Sequence, residues 1–192
     1  MQSARFVVTA AALFGCGAAV ADGASYNIDP THTAATFEIL HFGTSTLRGR
    51  FDRKAGQVQF DRAGKTGRVE LTLEMGSVNT GVAAFDRFLQ GKEMFNAADF
   101  PTAHFVGDSF AFSGDKVSAV SGTLTLLGKT NPVTLQASHF NCYINPLFRR
   151  EVCGGDFEAT IQRSQWGLNY GNPAYAPDSV RLLIQVEAIK QQ

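Results

Sequence analysis

Four histidines, three cysteines and one arginine are the residues of this 192-residue chain whose type and setting could do chemistry. His32, His41, His104 and His139 each stand alone, with no second His, Cys or Glu at metal-ligand spacing on the same element. His32 lies in Asp29-Pro30-Thr31-His32, near the start of the first strand. His41 follows Phe37 and Ile39 in period two, which puts all three on one face. A lone inward imidazole is more often a hydrogen-bonded core group than a ligand-contacting one, but it can donate and accept, so both readings stay open. Arg163 extends the alternation Phe157, Ala159, Ile161 and therefore points inward or sits at a rim. A buried, unpaired guanidinium is very costly, so it needs a partner. The favoured partner is a carboxylate or a set of main-chain carbonyls. The alternative is a polar or anionic ligand group, which the forked donors suit.

The motifs of nucleophilic and nucleotide chemistry are missing: there is no GxSxG, no P-loop and no GxGxxG. Glu70 and Glu74 alternate with apolar neighbours and read as solvated outer-face charges. No paired carboxylates suggest acid–base work, so a binding protein is expected and no catalytic cofactor. The 17 basic and 17 acidic residues balance, which removes the electrostatic case for nucleic acid as a partner.

The cysteines speak to compartment. Arg5 followed by an uncharged, apolar Phe6 to Val20 and the small residues of Ala19-Val20-Ala21 reads as a secretory signal over residues 1–21, too short for a membrane span. Leu13-Phe14-Gly15-Cys16 approaches a lipoprotein box, but Phe14 is bulky there, so anchoring at Cys16 is the less favoured alternative. Cleavage after Ala21 leaves Cys142 and Cys153, an even pair in an oxidising compartment, with the turn signal Asn145-Pro146 between them. A disulfide across two paired strands is expected.

Period-two alternation runs through the rest of the chain. Val69, Leu71, Leu73 and Met75 share one face, as do Leu182, Ile184, Val186 and Ala188. With turn signals between them, about eight strands are expected. They would form one antiparallel barrel over residues 22–192, of a size that side chains fill or that holds one ligand. The 16 Phe and 19 Gly suit such a lined interior. Gly81 to Phe95 breaks the rhythm: Val82, Phe85, Phe88 and Leu89 have helical spacing. A short helix is expected at one barrel mouth, either plugging it or covering it as a lid.

Several stretches, in order across the chain, resemble the YceI family. Tyr26-Asn27-Ile28-Asp29-Pro30-Thr31-His32-Thr33 is similar to its opening motif, with Thr33 where Ser is usual. Phe37-Glu38-Ile39-Leu40-His41-Phe42-Gly43, Gly49-Arg50-Phe51, and Asp99-Phe100-Pro101 leading to Phe105 resemble the motifs that follow. So do Gly122-Thr123-Leu124-Thr125-Leu126-Leu127-Gly128-Lys129-Thr130 and Arg163-Ser164-Gln165-Trp166-Gly167. The cysteine pair looks like a subgroup feature.

The resemblance implies an all-β, extended eight-stranded, lipocalin-like barrel with a helical insertion. It implies periplasmic binding, storage or transport of a polyisoprenoid lipid, including isoprenoid quinones such as ubiquinone. It also suggests a homodimer and transient contact with membrane quinone enzymes. Phe37, Ile39, His41, Phe85, Leu89, Phe105, Arg163 and Trp166 are the expected ligand-binding residues. Two competitors remain: a lipid-modifying isomerase or hydrolase using His41 or Arg163, and a structural module whose barrel is simply filled.

Overall fold

The alternating runs become the walls of the molecule. The computed structural model describes residues 23–192, so the secretory signal expected over 1–21 and the Cys16 alternative lie outside the described residues. The strands are β1 (Ala24–Ile28), β2 (Ala34–His41), β3 (Ser45–Phe51), β4 (Lys54–Asp61), β5 (Thr66–Glu74), β6 (Val78–Asn79), β7 (Thr102–Ser113), β8 (Lys116–Leu126), β9 (Lys129–Ile144), β10 (Glu151–Gln162) and β11 (Ser179–Lys190). The helix α1 spans Ala83–Gln90.

β1, β4, β5, β7, β8, β9, β10 and β11 pair antiparallel in that order, and β11 returns to β1. Eight staves therefore close a barrel, which removes the exposed edges an open sheet would carry. The additional strands arise because β1 and β2 lie end to end along β11. Ala188–Lys190 of β11 pair with β1, and Arg181–Gln185 pair with β2. β3 pairs beside β2, and β6 beside β3, so this flap raises the wall at one end. That end also carries α1, the turn after β8 and the long connection from β10 to β11; we call it the mouth. The other, stapled end carries the turns after β4, β7 and β9.

Cys142 and Cys153 stand directly opposite in the β9–β10 ladder and form the expected disulfide, with 4.1 Å between their Cα atoms. The turn between them is closed by hydrogen bonds from Asn145 N–H to the Arg150 carbonyl (2.9 Å) and from Arg149 N–H to the Asn145 carbonyl (2.8 Å). Glu70 and Glu74 face outward as expected, paired with Arg68 (2.8 Å) and Arg53. Such exposed pairs add little stability.

α1 is shorter than the Gly81–Phe95 expectation. Gly91 takes up extended backbone, and the chain then turns back, with Phe95 N–H bonded to the Leu89 carbonyl at 2.9 Å. Eight residues are too few for a stable isolated helix, so packing of Phe85 and Leu89 holds it. Val82 precedes the helix and is 58% exposed, so it does not belong to the apolar face expected of it.

Candidate ligand-binding cavity

The inward faces do not meet. Between them lies a cavity of about 510 Å³, within the range of small-molecule sites. This overturns the filled-barrel reading. β2 sends Phe37, Ile39 and His41 into the cavity at alternate positions, and β11 adds Val180, Leu182 and Ile184 on the adjoining wall. Leu71 and Leu73 on β5, and Met75 just after it, extend the lining. Phe37 pairs directly with Gly49, and its ring lies across that glycine: a Cβ at Gly49 would stand 2.3 Å from the Phe37 ring. Only glycine leaves room for the ring there.

At the mouth, aromatic rings form a collar. Phe42 and Gly43 occupy the centre of the β2–β3 turn, both at positive φ (48° and 67°), with Thr44 N–H bonded to the His41 carbonyl at 2.9 Å. This turn type favours Asn, Asp or Gly, so a phenylalanine there is conformationally costly. The Phe42 ring, 59% exposed, packs on Tyr175 at 5.4 Å, and its N–H donates to the Tyr175 carbonyl at 2.9 Å. The contacts continue from Tyr175 to Tyr170 (6.2 Å), from Tyr170 to Phe88 (5.1 Å) and from Phe88 to Phe85 (6.0 Å). Phe85, Phe88 and Leu89 line the cavity beneath. The helix therefore covers open space rather than plugging a packed core.

Arg163 does not extend β10. It opens a 3-10 turn over Arg163–Trp166, and it is 4% exposed. Its Nε donates to the Pro177 carbonyl (3.0 Å), its Nη1 to those of Leu168 (2.8 Å) and Tyr170 (2.9 Å), and its Nη2 to that of Ala176 (3.2 Å). Four of the five guanidinium donors are thus spent on main-chain carbonyls of one connection, residues 163–178. The residue lines the cavity, but its main work is to hold this wall of the mouth. Burial lowers the guanidinium pKa, and the nearby Asp178 charge acts against that shift. Asp178 is itself held below the usual carboxylate range by the Ser164 hydroxyl (2.6 Å), helped by the Ser164 N–H (2.8 Å), Arg163 and Asn172.

Trp166 corrects an expectation. It is 1% exposed and does not line the cavity; its indole N–H donates to the Leu124 carbonyl at 3.0 Å. β9 pairs with β10 only from Gln136 to Ile144, which leaves the ladder split toward the mouth. The 3-10 turn packs against β9 there, and Asn131 bonds the Gln165 carbonyl at 3.2 Å. Trp166 is a structural wedge.

The structure thus brings Phe37, Ile39, His41, Phe85, Leu89, Phe105 and Arg163 around one space. The imidazole of His41 lies at the mouth, edge-on to Phe42 at 4.7 Å. His32 instead pairs with Asp29 in the turn between β1 and β2, and His104 bonds Thr72 and Thr102 on the outer face. His139 is exposed on β9. Sequence reasoning did not find Tyr170 and Tyr175, which sit in an irregular connection where no periodicity marks them. Among the described residues, no carboxylate, lysine or cysteine lines the cavity, and no group of three potential metal ligands occurs.

Comparison with known proteins places this architecture. The model of the YceI-like domain matches residues 26–188. Protein YceI of Salmonella arizonae is 34% identical over 186 residues, covering 95% of each chain. The crystal structure of BcnA from Burkholderia cenocepacia is 23% identical; it covers 83% of this chain and 98% of its own, with a TM-score of 0.70. A polyisoprenoid binding domain from Saccharophagus degradans, 17% identical, covers 88% of this chain and 99% of its own, with a TM-score of 0.61. The distant structures share the fold, whereas the domain match and the Salmonella relative extend over nearly the whole sequence: the chain belongs to the YceI family.

Proposed function

We propose that the cavity holds the tail of a long-chain isoprenoid lipid, with an isoprenoid quinone such as ubiquinone as the preferred ligand. In this reading the protein is exported to the periplasm, where it stores or carries that lipid. The observation that carries the proposal is the apolar-lined cavity of about 510 Å³, whose charged lining residue, Arg163, has four of its five donors engaged by main-chain carbonyls. Burying one CH₂ gains roughly 0.8 kcal/mol, so one five-carbon prenyl unit gains about 4 kcal/mol gross. A few units reach any realistic affinity once association costs are met. Polar groups gather at the mouth, where His41, Tyr170 and Tyr175 would meet a head group while the tail lies inside. The disulfide fits an oxidising compartment. The polyisoprenoid binding domain of Saccharophagus degradans, on the same fold, gives the same direction. A homodimer and brief contact with membrane quinone enzymes belong to the same proposal.

Native mass spectrometry of protein purified from its own or a related host, followed by solvent extraction, tests it. A prenyl lipid or quinone at up to one per chain is expected. Protein that arrives bare and takes up no such lipid from micelles would sink the proposal. Lipid turnover that disappears in His41→Ala while binding persists would instead favour the enzyme.

A further inference from the structure

A second, much smaller cavity of about 80 Å³ lies toward the stapled end, and Leu71, Phe105, Leu135 and Ile184 line both spaces. These four residues come from β5, β7, β9 and β11 and form a belt around the interior. Leu71 and Phe105 are direct cross-strand partners, and β7 and β11 are the fourth and eighth staves, on opposite walls. Phe105 is buried, and its ring leans toward the stapled end. A Cβ at Gly107, two residues further along β7, would stand 3.0 Å from Phe105 Cε1, 2.5 Å from Val120 Cγ1 and 2.8 Å from Val69 Cγ1. The bare glycine is what lets these three side chains converge and narrow the interior. Below them the Phe60 ring packs on Phe110 (6.2 Å), Phe112 (6.2 Å) and Phe140 (5.8 Å), which leaves only the small space.

We propose that this belt is a tail-length stop and that Phe105 is its specificity-determining residue. The inference rests on the lipid reading above. From Val180 to Ile184 is four residue steps of β11, roughly 13 Å at strand spacing, and a tail that deep ends on the belt. Prenyl units beyond that depth stay at the mouth in water and add no burial. Affinity measured from water therefore stops rising with tail length, and a tail drawn from a micelle loses burial for every unit left outside, so intermediate chains are favoured over long ones.

The test is competition. Delipidated protein is offered an equimolar mixture of ubiquinones with 2, 4, 8 and 10 prenyl units from the same micelles, and native mass spectrometry reads the bound ratio. Wild type is expected to show occupancy that does not rise beyond the intermediate lengths and falls toward 10 units. Phe105→Ala joins the two spaces and should raise the long-to-short ratio at least tenfold. Phe105→Leu, which keeps more of the packing, should move it the same way by less and serves if the alanine variant is unfolded. Occupancy that keeps climbing to 10 units in wild type, or a ratio unchanged within twofold in both folded variants, would overturn the stop while leaving lipid binding intact. No bound homologue of any length would bring down the lipid reading itself.

Discussion

The two ends of the barrel are closed by different means. At the stapled end, Phe60, Phe110, Phe112 and Phe140 fill most of the interior, and a covalent Cys142–Cys153 link ties β9 to β10. At the mouth there is no covalent tie among the described residues. The wall there is a connection without regular strands, hung on one guanidinium, and the cover is a collar of half-exposed aromatic rings around α1. One end is built to stay shut and the other is held by contacts that can part singly. With a packed, covalently tied base and a weakly covered mouth, the mouth is where exchange of a lipid is expected.

The largest effect should come from the guanidinium. Arg163→Met leaves the carbonyls of Leu168, Tyr170, Ala176 and Pro177 without their donor, at a cost of about 3–5 kcal/mol. Denaturant titration measures this; a loss under about 1 kcal/mol would show that the mouth does not hang on Arg163. Next comes the staple. Cys142→Ser with Cys153→Ser is expected to lose about 2–3 kcal/mol by the chain-entropy model, with the bound-lipid ratio unchanged. A change in lipid preference without loss of stability would reverse the roles assigned to the two ends.

A smaller effect is expected from the collar. Phe42→Ala with Tyr175→Ala removes a ring pair worth about 0.5–1.5 kcal/mol beyond its buried area. Transfer of lipid to acceptor vesicles should speed up roughly tenfold, equivalent to about 1.4 kcal/mol, with little change in unfolding midpoint. An unchanged transfer rate would point to another exit.

The smallest effect is pH-linked. The carboxyl of Asp178 is depressed in the folded protein, so its contribution is complete above the ordinary aspartate value of about 3.9 and fades as pH falls below it. NMR signals of residues 163–178 should hold steady down to about pH 4 and broaden or shift only below it, before those of the Cys142–Cys153 hairpin. The reverse order would contradict the picture of a loosely held mouth.

The stapled end was the more legible in sequence. Val69, Leu71 and Leu73 on β5 and Ile184, Val186 and Ala188 on β11 follow strict period two, and they do face inward. The cysteine pair with its turn was enough to expect the bridge. At the mouth, Phe37, Ile39 and His41 were found because they too sit on a regular strand. Trp166 was expected in the lining as the aromatic of the Arg163–Gly167 motif, but β10 ends at Gln162 and the 3-10 turn after it carries the indole away from the cavity to the Leu124 carbonyl. Tyr170 and Tyr175 were missed for the same reason: the direction of a side chain in an irregular connection depends on its long-range partners.

The sequence by itself determined the alternating walls, the strand-to-turn rhythm, the bridge between Cys142 and Cys153, and the inward face of β2. These are local matters, set by side-chain period and turn chemistry. Only the tertiary structure decided whether the inward faces would fill the barrel or stand apart, that Arg163 anchors a connection, and that the Phe105 belt divides the interior into a large and a small space. Those outcomes depend on the distance between opposite staves and on which side chains meet across it, and no spacing along the chain encodes that distance.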